Sequence, residues 1–330
     1  MARAAALASM VVVNFNVVMA GGNGAVASLL QGRAAALFVV LAGVGFQLSA
    51  RGKPGIEFAA QTLRRSVFLL VVGLLNMLIF PADIIHYYAI YFLVGVVLAG
   101  ASSRQLWLAM IGILVVSLIM LLSLNYDVGW NWETLEYSGF WSPGGFVRNL
   151  MFNGWHPVFP WAVFLLFGMW LAELNLRSRA VQVRLLLWGA AVYGAATLAS
   201  RFLVSASLKI DSELSLLFAT SPVPPVPLYM IVGSAFACAA IGTCLLSSGF
   251  AASRVGEAVV QMGWHSLTHY IAHIVIGMGA MEAFGLLDTS TAGEALLASL
   301  LYIALALSAS WMWSRRFKRG PLEALMRATT

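Results

Sequence analysis

The side chains able to do chemistry fall into two groups. In the segment GWHSLTHYIAHIVIG, His265, His269 and His273 recur every four residues. On a helix they form one slowly drifting stripe, about 12 Å long. Such a stripe can hold a transition metal or haem if other helices supply ligands, or it can place one deep histidine, His273, as an acid, base or hydrogen-bonding group. His265 and His269 serve equally well as helix-to-helix contacts. A second group surrounds PADIIHYYAIY, where Asp83, His86 and Tyr87 share a helical face, so that Asp83 can orient His86 and raise its basicity. His156 and Trp161, in GWHPVFPWAVF, and Arg33, in QGRAAALF, join this group. The alternatives are plain: Asp83 can simply cap its helix, and Arg33 can reach toward headgroups or pair with Asp83. Asn14 and Asn16 lie deep in an apolar run, about 17 Å along a helix from Arg3 for the first of them. A buried amide there needs a partner, either another helix or a reacting oxyanion. Asn76 is a weaker example of the same kind.

The elements that position these groups are membrane helices. The chain has 330 residues, 61% hydrophobic and 10% charged, with a mean hydropathy of +0.88. That little charge cannot clothe a water-soluble surface. The expected fold is all-α, a polytopic bundle of about ten spans: roughly 2–20, 33–50, 64–80, 84–101, 104–124, 158–174, 181–203, 226–249, 265–286 and 293–314. Of the 19 Lys and Arg residues, all but Arg33, Arg148, Arg201 and Lys209 fall at alternating junctions. By the positive-inside rule those junctions, and both termini, are cytoplasmic. The first run reads as a retained helix rather than a cleaved leader. The whole chain, 1–330, reads as a single transmembrane domain. It carries an aromatic-rich outer cap at 125–157, a Pro-rich outer loop at 204–225 and a basic cytoplasmic tail at 315–330. A bacterial-type plasma (inner) membrane is the expected location. The formal charge of +6 is explained by loop orientation and does not call for nucleic acid. Cys238 and Cys244 lie in one apolar run at a spacing that suits packing rather than metal binding. The sequence holds no GxSxG elbow, no phosphate-binding GxxxxGK[ST] loop and no GxGxxG turn.

Six segments in order resemble the YeiB-type membrane proteins, a domain of unknown function, and more broadly the transmembrane acyltransferases that include heparan-alpha-glucosaminide N-acetyltransferase. They are ARAAALASMVVVNF, GRAAALFVVLAGVGFQL, DIIHYYAIYFLVG, HPVFPWAVFLLFGMWLA, GWHSLTHYIAHIV and GPLEALMR. The resemblance implies a helical bundle that moves an acyl group, typically from acyl-CoA, to a hydroxyl or amine at the far face. By residue matching it points to Asn14, Arg33, Asp83, Tyr270, His273 and the Pro160-Trp161 turn. The chain departs at Ala4, where the family usually has Gly. It also departs in GGNGAVASLLQ, which has no counterpart to the outer-facing histidine of the sugar acetyltransferase.

The leading expectation is therefore a membrane acyltransferase. His273, His86 or His156 would act as general base, Asp83 as its orienting carboxylate, and Asn14, Arg33, Trp161, Tyr270 and Tyr87 as substrate contacts. Arg64 and Arg65 would meet the phosphates of acyl-CoA as co-substrate or serve only as topology signals. No tightly bound cofactor and no metal are expected. The expected partners are membrane lipid and a small-molecule or glycan acceptor, with homo-oligomerisation open. Two other readings stand beside it: a small-metabolite or lipid transporter gated by Arg33, Asp83 and His156, and a metal or haem protein built on His265, His269 and His273.

Overall fold

The structure, a computed structural model, describes residues 1–53 and 55–330. It is helical nearly throughout, in this order: α1 (Ala2–Ala20), α2 (Ala25–Leu30), α3 (Arg33–Ala50), α4 (Gly55–Met77), α5 (Ile85–Val97), α6 (Ser103–Ser123), α7 (Pro143–Arg148), α8 (Val158–Glu173), α9 (Arg179–Ser207), α10 (Ser212–Leu216), α11 (Pro227–Leu246), α12 (Arg254–Trp264), α13 (Ser266–Ala272), α14 (Gly279–Ala283), α15 (Ala292–Ser314) and α16 (Pro321–Thr329). Among the described residues the strands are confined to one hairpin, β1 (Trp130–Asn131) with β2 (Glu136–Tyr137), in which Trp130 pairs with Tyr137. The helix starts follow local chemistry. Ser102 with Gln105, and Thr291 with Glu294, close reciprocal capping boxes at α6 and α15. α1 ends at Gly21, whose left-handed backbone (φ 60) turns its N–H onto the Asn16 carbonyl.

Among the described residues seven helices are long and apolar enough to cross a membrane, the run Ala25–Ala50 being one of them. Pro143–Asn153 with Val158–Glu173, bent by 50°, makes an eighth if counted as one span. The chain is thus an all-α, multi-pass membrane protein. The expectation of ten spans is less simply met. The run at 84–101 yields a 13-residue apolar helix, Ile85–Val97. The run at 265–286 is divided into α13, a π turn at His273–Met278, and α14. The Pro-rich loop expected at 204–225 begins inside α9 and contains α10.

The chain divides into two compact units. The first joins Met1–Phe38 to Ala240–Thr330. Here α1 packs on α15 and α12. Ala4 lies against Gly263, and Asn14 meets His273. The same offset at both contacts means that α1 and the α12–α13 segment run in the same direction. α15 runs the opposite way: Ser290, just before it, donates to Met19 O at the end of α1, and Tyr302 stacks edge-on against Phe15 at 5.6 Å.

The second unit, Val39–Ala239, is built on the pairs α4–α5, α6–α8 and α5–α8. Gly43 and Gly168 let α3 and α8 touch backbone to backbone. A Cβ on Gly43 would lie 2.0 Å from Leu165 O, and one on Gly168 2.0 Å from Val40 O. At the C-terminal end of α8, Glu173 accepts from Gln47 at 2.8 Å and pairs with Arg51 at 3.5 Å. The opposite end of α8, beside His156, lies about 24 Å away along the helix.

Candidate functional site

Within the second unit, the turn after α4 places Asp83 under the first turn of α5. Asp83 Oδ2 lies 2.9 Å from His86 Nδ1 and accepts the His86 backbone N–H at 3.1 Å. Asp83 Oδ1 accepts from the Asn76 amide of α4 at 2.8 Å. All three side chains are buried. Gly73 makes this arrangement sterically possible, since a Cβ there would lie 2.3 Å from His86 N. The carboxylate accepts a hydrogen bond from Nδ1–H, which leaves Nε2 as the unprotonated nitrogen. That nitrogen has no hydrogen-bond partner among the described residues. A buried carboxylate–imidazole pair with a bare Nε2 is the geometry of a general base.

Aromatic and amide groups frame the pair. The Tyr87 ring lies 3.9 Å from that of His86, and its hydroxyl donates to Asn149 Oδ1 at 2.7 Å. Phe140 stands edge-on to His86 at 6.2 Å. His156 packs edge-on against Trp161 at 4.6 Å and Tyr87 at 5.8 Å, while its carbonyl accepts from Tyr91. The structure therefore gathers Asp83, His86, Tyr87, His156 and Trp161, all expected from the sequence. It adds Asn76, Phe140 and Asn149.

Above this cluster the segment expected as an aromatic cap folds into the hairpin and a π turn at Asn149–Asn153. Asn153 organises it. Its amide donates to Tyr126 O and Val128 O at 2.7 and 2.9 Å, its Oδ1 accepts from Tyr137 at 2.9 Å, and its carbonyl accepts from Trp130 Nε1 at 2.6 Å. Burial holds the Tyr137 phenol above its ordinary pKa, against the effect of that Asn153 bond. The result is a cavity of about 460 Å³ whose walls include Trp130, Trp141, Trp155, Tyr137 and Glu136. Phe140 and Asn149 line it as well, and each also touches the His86–Tyr87 pair, so one layer of side chains separates cavity from dyad.

The first unit holds the other expected group. Asn14 Nδ2 lies 3.0 Å from His273 Nε2. An amide nitrogen only donates, so this ring nitrogen is the acceptor and is already engaged. Tyr270 and Phe15 flank the ring at 5.2 and 6.2 Å. His269 Nε2 instead faces Ser310 Oγ of α15 at 2.6 Å. The stripe thus turns successive histidines toward different helices. Among the described residues no three His, Cys, Asp or Glu side chains gather to hold a metal. Arg33 donates to Gln31 O at 3.0 Å, closing the turn after α2. Arg64 is exposed and Arg65 half-buried on α4.

The sequence reading passed over Glu323. From α16 its carboxylate accepts the backbone N–H of Leu267 at 2.7 Å and of Thr268 at 3.1 Å, and the Thr268 hydroxyl at 2.6 Å. It satisfies the first turn of α13, where a helix presents its positive end. The signal was the Gly-Pro-Leu-Glu run that closes the resemblance described above.

A multi-pass helical membrane protein with a carboxylate-oriented histidine beneath an aromatic cavity is the class this fold and site define. Residues 1–210 match the family described as heparan-alpha-glucosaminide N-acetyltransferase, catalytic, and the chain belongs to that family. Residues 169–330 match the family described as protein of unknown function (DUF418). Both agree with the resemblance carried by the six segments. No curated protein matches the chain.

Proposed function

We propose that this protein is a membrane-bound acyltransferase that moves an acyl group from acyl-CoA to a hydroxyl or amine, with His86 as general base. The observation that carries the reading is the buried Asp83–His86 pair with its bare Nε2. In this scheme the acceptor enters the aromatic cavity, the Phe140–Asn149 layer moves aside, and the acceptor O–H or N–H gives a proton to His86 Nε2. The acceptor attacks the thioester carbonyl, the C–S bond breaks, and the imidazolium returns the proton to the CoA thiolate. Asp83 holds the imidazole in one tautomer and stabilises its charged form; Asn76 holds Asp83. Tyr87 and Trp161 shape the acceptor side, with His156 packed between them.

Asn14, Tyr270 and His273 form a second buried cluster, to which we assign positioning rather than proton transfer, because the Asn14 amide occupies His273 Nε2. Arg64 and Arg65 are the proposed contacts for CoA phosphates. The proposed topology has ten crossings with both termini cytoplasmic, in a bacterial-type plasma membrane. The parallel course of α1 and α12–α13, expected for two odd-numbered spans, supports it, as does the Arg51–Glu173 pair at the end of α8 opposite His156. The test is isotope-labelled acetyl-CoA with purified protein in detergent. Binding, with slow thioester hydrolysis that is lost in His86→Gln, supports the proposal. Absence of CoA binding by calorimetry overturns it.

A further inference from the structure

A second cavity, of about 530 Å³, opens between α6, α8, α9 and α11 of the second unit. Its walls are apolar and aromatic. Trp107 stands edge-on to Trp170 at 5.3 Å and to Phe167 at 6.3 Å. Trp188 on the rim is 69% exposed and Trp107 42%, so the groove opens sideways from the helices rather than into the interior. Among the described residues Arg184 is the one charged side chain lining it, and it is exposed. Arg184 stands in the second turn of α9. Trp107 occupies the second turn of α6, and Leu174, at the end of α8, lines the same end of the groove. From there the groove follows α6 to Leu114 and α9 to Val192, about 10–12 Å of helix.

An apolar channel of that length with a cation at its mouth and indoles on its rim fits one molecule: a lipid whose tail lies in the channel and whose phosphate meets the guanidinium. We infer that this groove is a binding site for an anionic glycerophospholipid of the leaflet on the Arg184 side. Charge complementarity selects the headgroup, because a zwitterionic lipid brings an ammonium group to the same mouth. The site stands apart from the proposed acyl-transfer chemistry and survives its failure.

The test is native mass spectrometry of the intact protein in detergent, titrated with phosphatidylglycerol or with phosphatidylcholine of identical chains. The first bound lipid should be phosphatidylglycerol. Arg184→Gln should weaken it by about fivefold, the effect of removing one cation near an anionic headgroup. Ser234→Phe, which fills the groove lining, should abolish it. Arg179→Gln, in the same connection but outside the lining, should leave it unchanged. Equal binding of the two lipids, or full binding by Arg184→Gln, would overturn the inference. An equal loss in Arg179→Gln would also overturn it, by assigning the effect to a general basic surface. Should Ser234→Phe fail to fold, the exposed Arg184→Gln and Arg179→Gln pair still decides.

Discussion

Asp83 binds His86 twice with one oxygen: Oδ2 lies 2.9 Å from the ring Nδ1 and 3.1 Å from the backbone nitrogen of the same residue. A carboxylate so engaged fixes both the backbone start of α5 and the imidazole orientation. Replacing His86 with Gln keeps size and hydrogen bonding while removing the base. Acyl transfer should fall roughly 100- to 10,000-fold, with the thermal midpoint in detergent little changed.

Asn76 acts one step further out. Asn76→Ala takes the amide donor from Asp83 Oδ1 without touching His86. The expected result is a lower kcat with KM nearly constant, measured by steady-state acyl transfer. A change confined to KM would place Asn76 at the acceptor instead.

The Asn14–His273 contact should behave differently. Asn14→Ala leaves a buried ring nitrogen without its donor, which costs about 1–3 kcal/mol of stability. The thermal midpoint should drop more than turnover does. If His273→Gln instead silences the protein while His86→Gln spares it, the base has been assigned to the wrong helix.

Glu323→Ala removes one carboxylate that accepts two backbone N–H groups and a hydroxyl. Releasing α16 should expose 315–330 to protease, and limited proteolysis should clip the variant well before the parent. Glu323→Gln keeps an acceptor and should fall between the two.

Gly168→Leu tests the contact of α3 with α8. Because even a Cβ would lie 2.0 Å from Val40 O, backbone must move. Overpacking of this kind costs about 1–3 kcal/mol, read as a lowered thermal midpoint.

The Asp83–His86 pairing was legible because an i, i+3 spacing on a helix needs no tertiary information. The helices themselves were legible from apolar length, though the run at 84–101 ends early, at Val97, and the π turn at His273 divides another. Asn76 reads in the sequence only as a buried amide in need of a partner, since that partner, Asp83, comes through the turn between α4 and α5. Asn149 and Asn153 gave no signal at all: a π turn and a two-residue hairpin lack the periodicity that marks regular elements. The histidine stripe leaves a shared ligand and helix-to-helix contacts open together, since spacing alone does not say which neighbour each ring meets; α1 and α15 engage His273 and His269 separately.

The division of the chain bears on how the protein is made. α1 finds its partners among α12, α13 and α15, so some two hundred residues of another compact unit are synthesised between the first helix and the elements that bury its face. During membrane insertion the second unit can therefore close while α1 still waits, its polar Asn14 and Asn16 facing lipid or whatever holds them in the interval. Assembly is nested rather than sequential, and the first helix to be inserted is among the last to be completed.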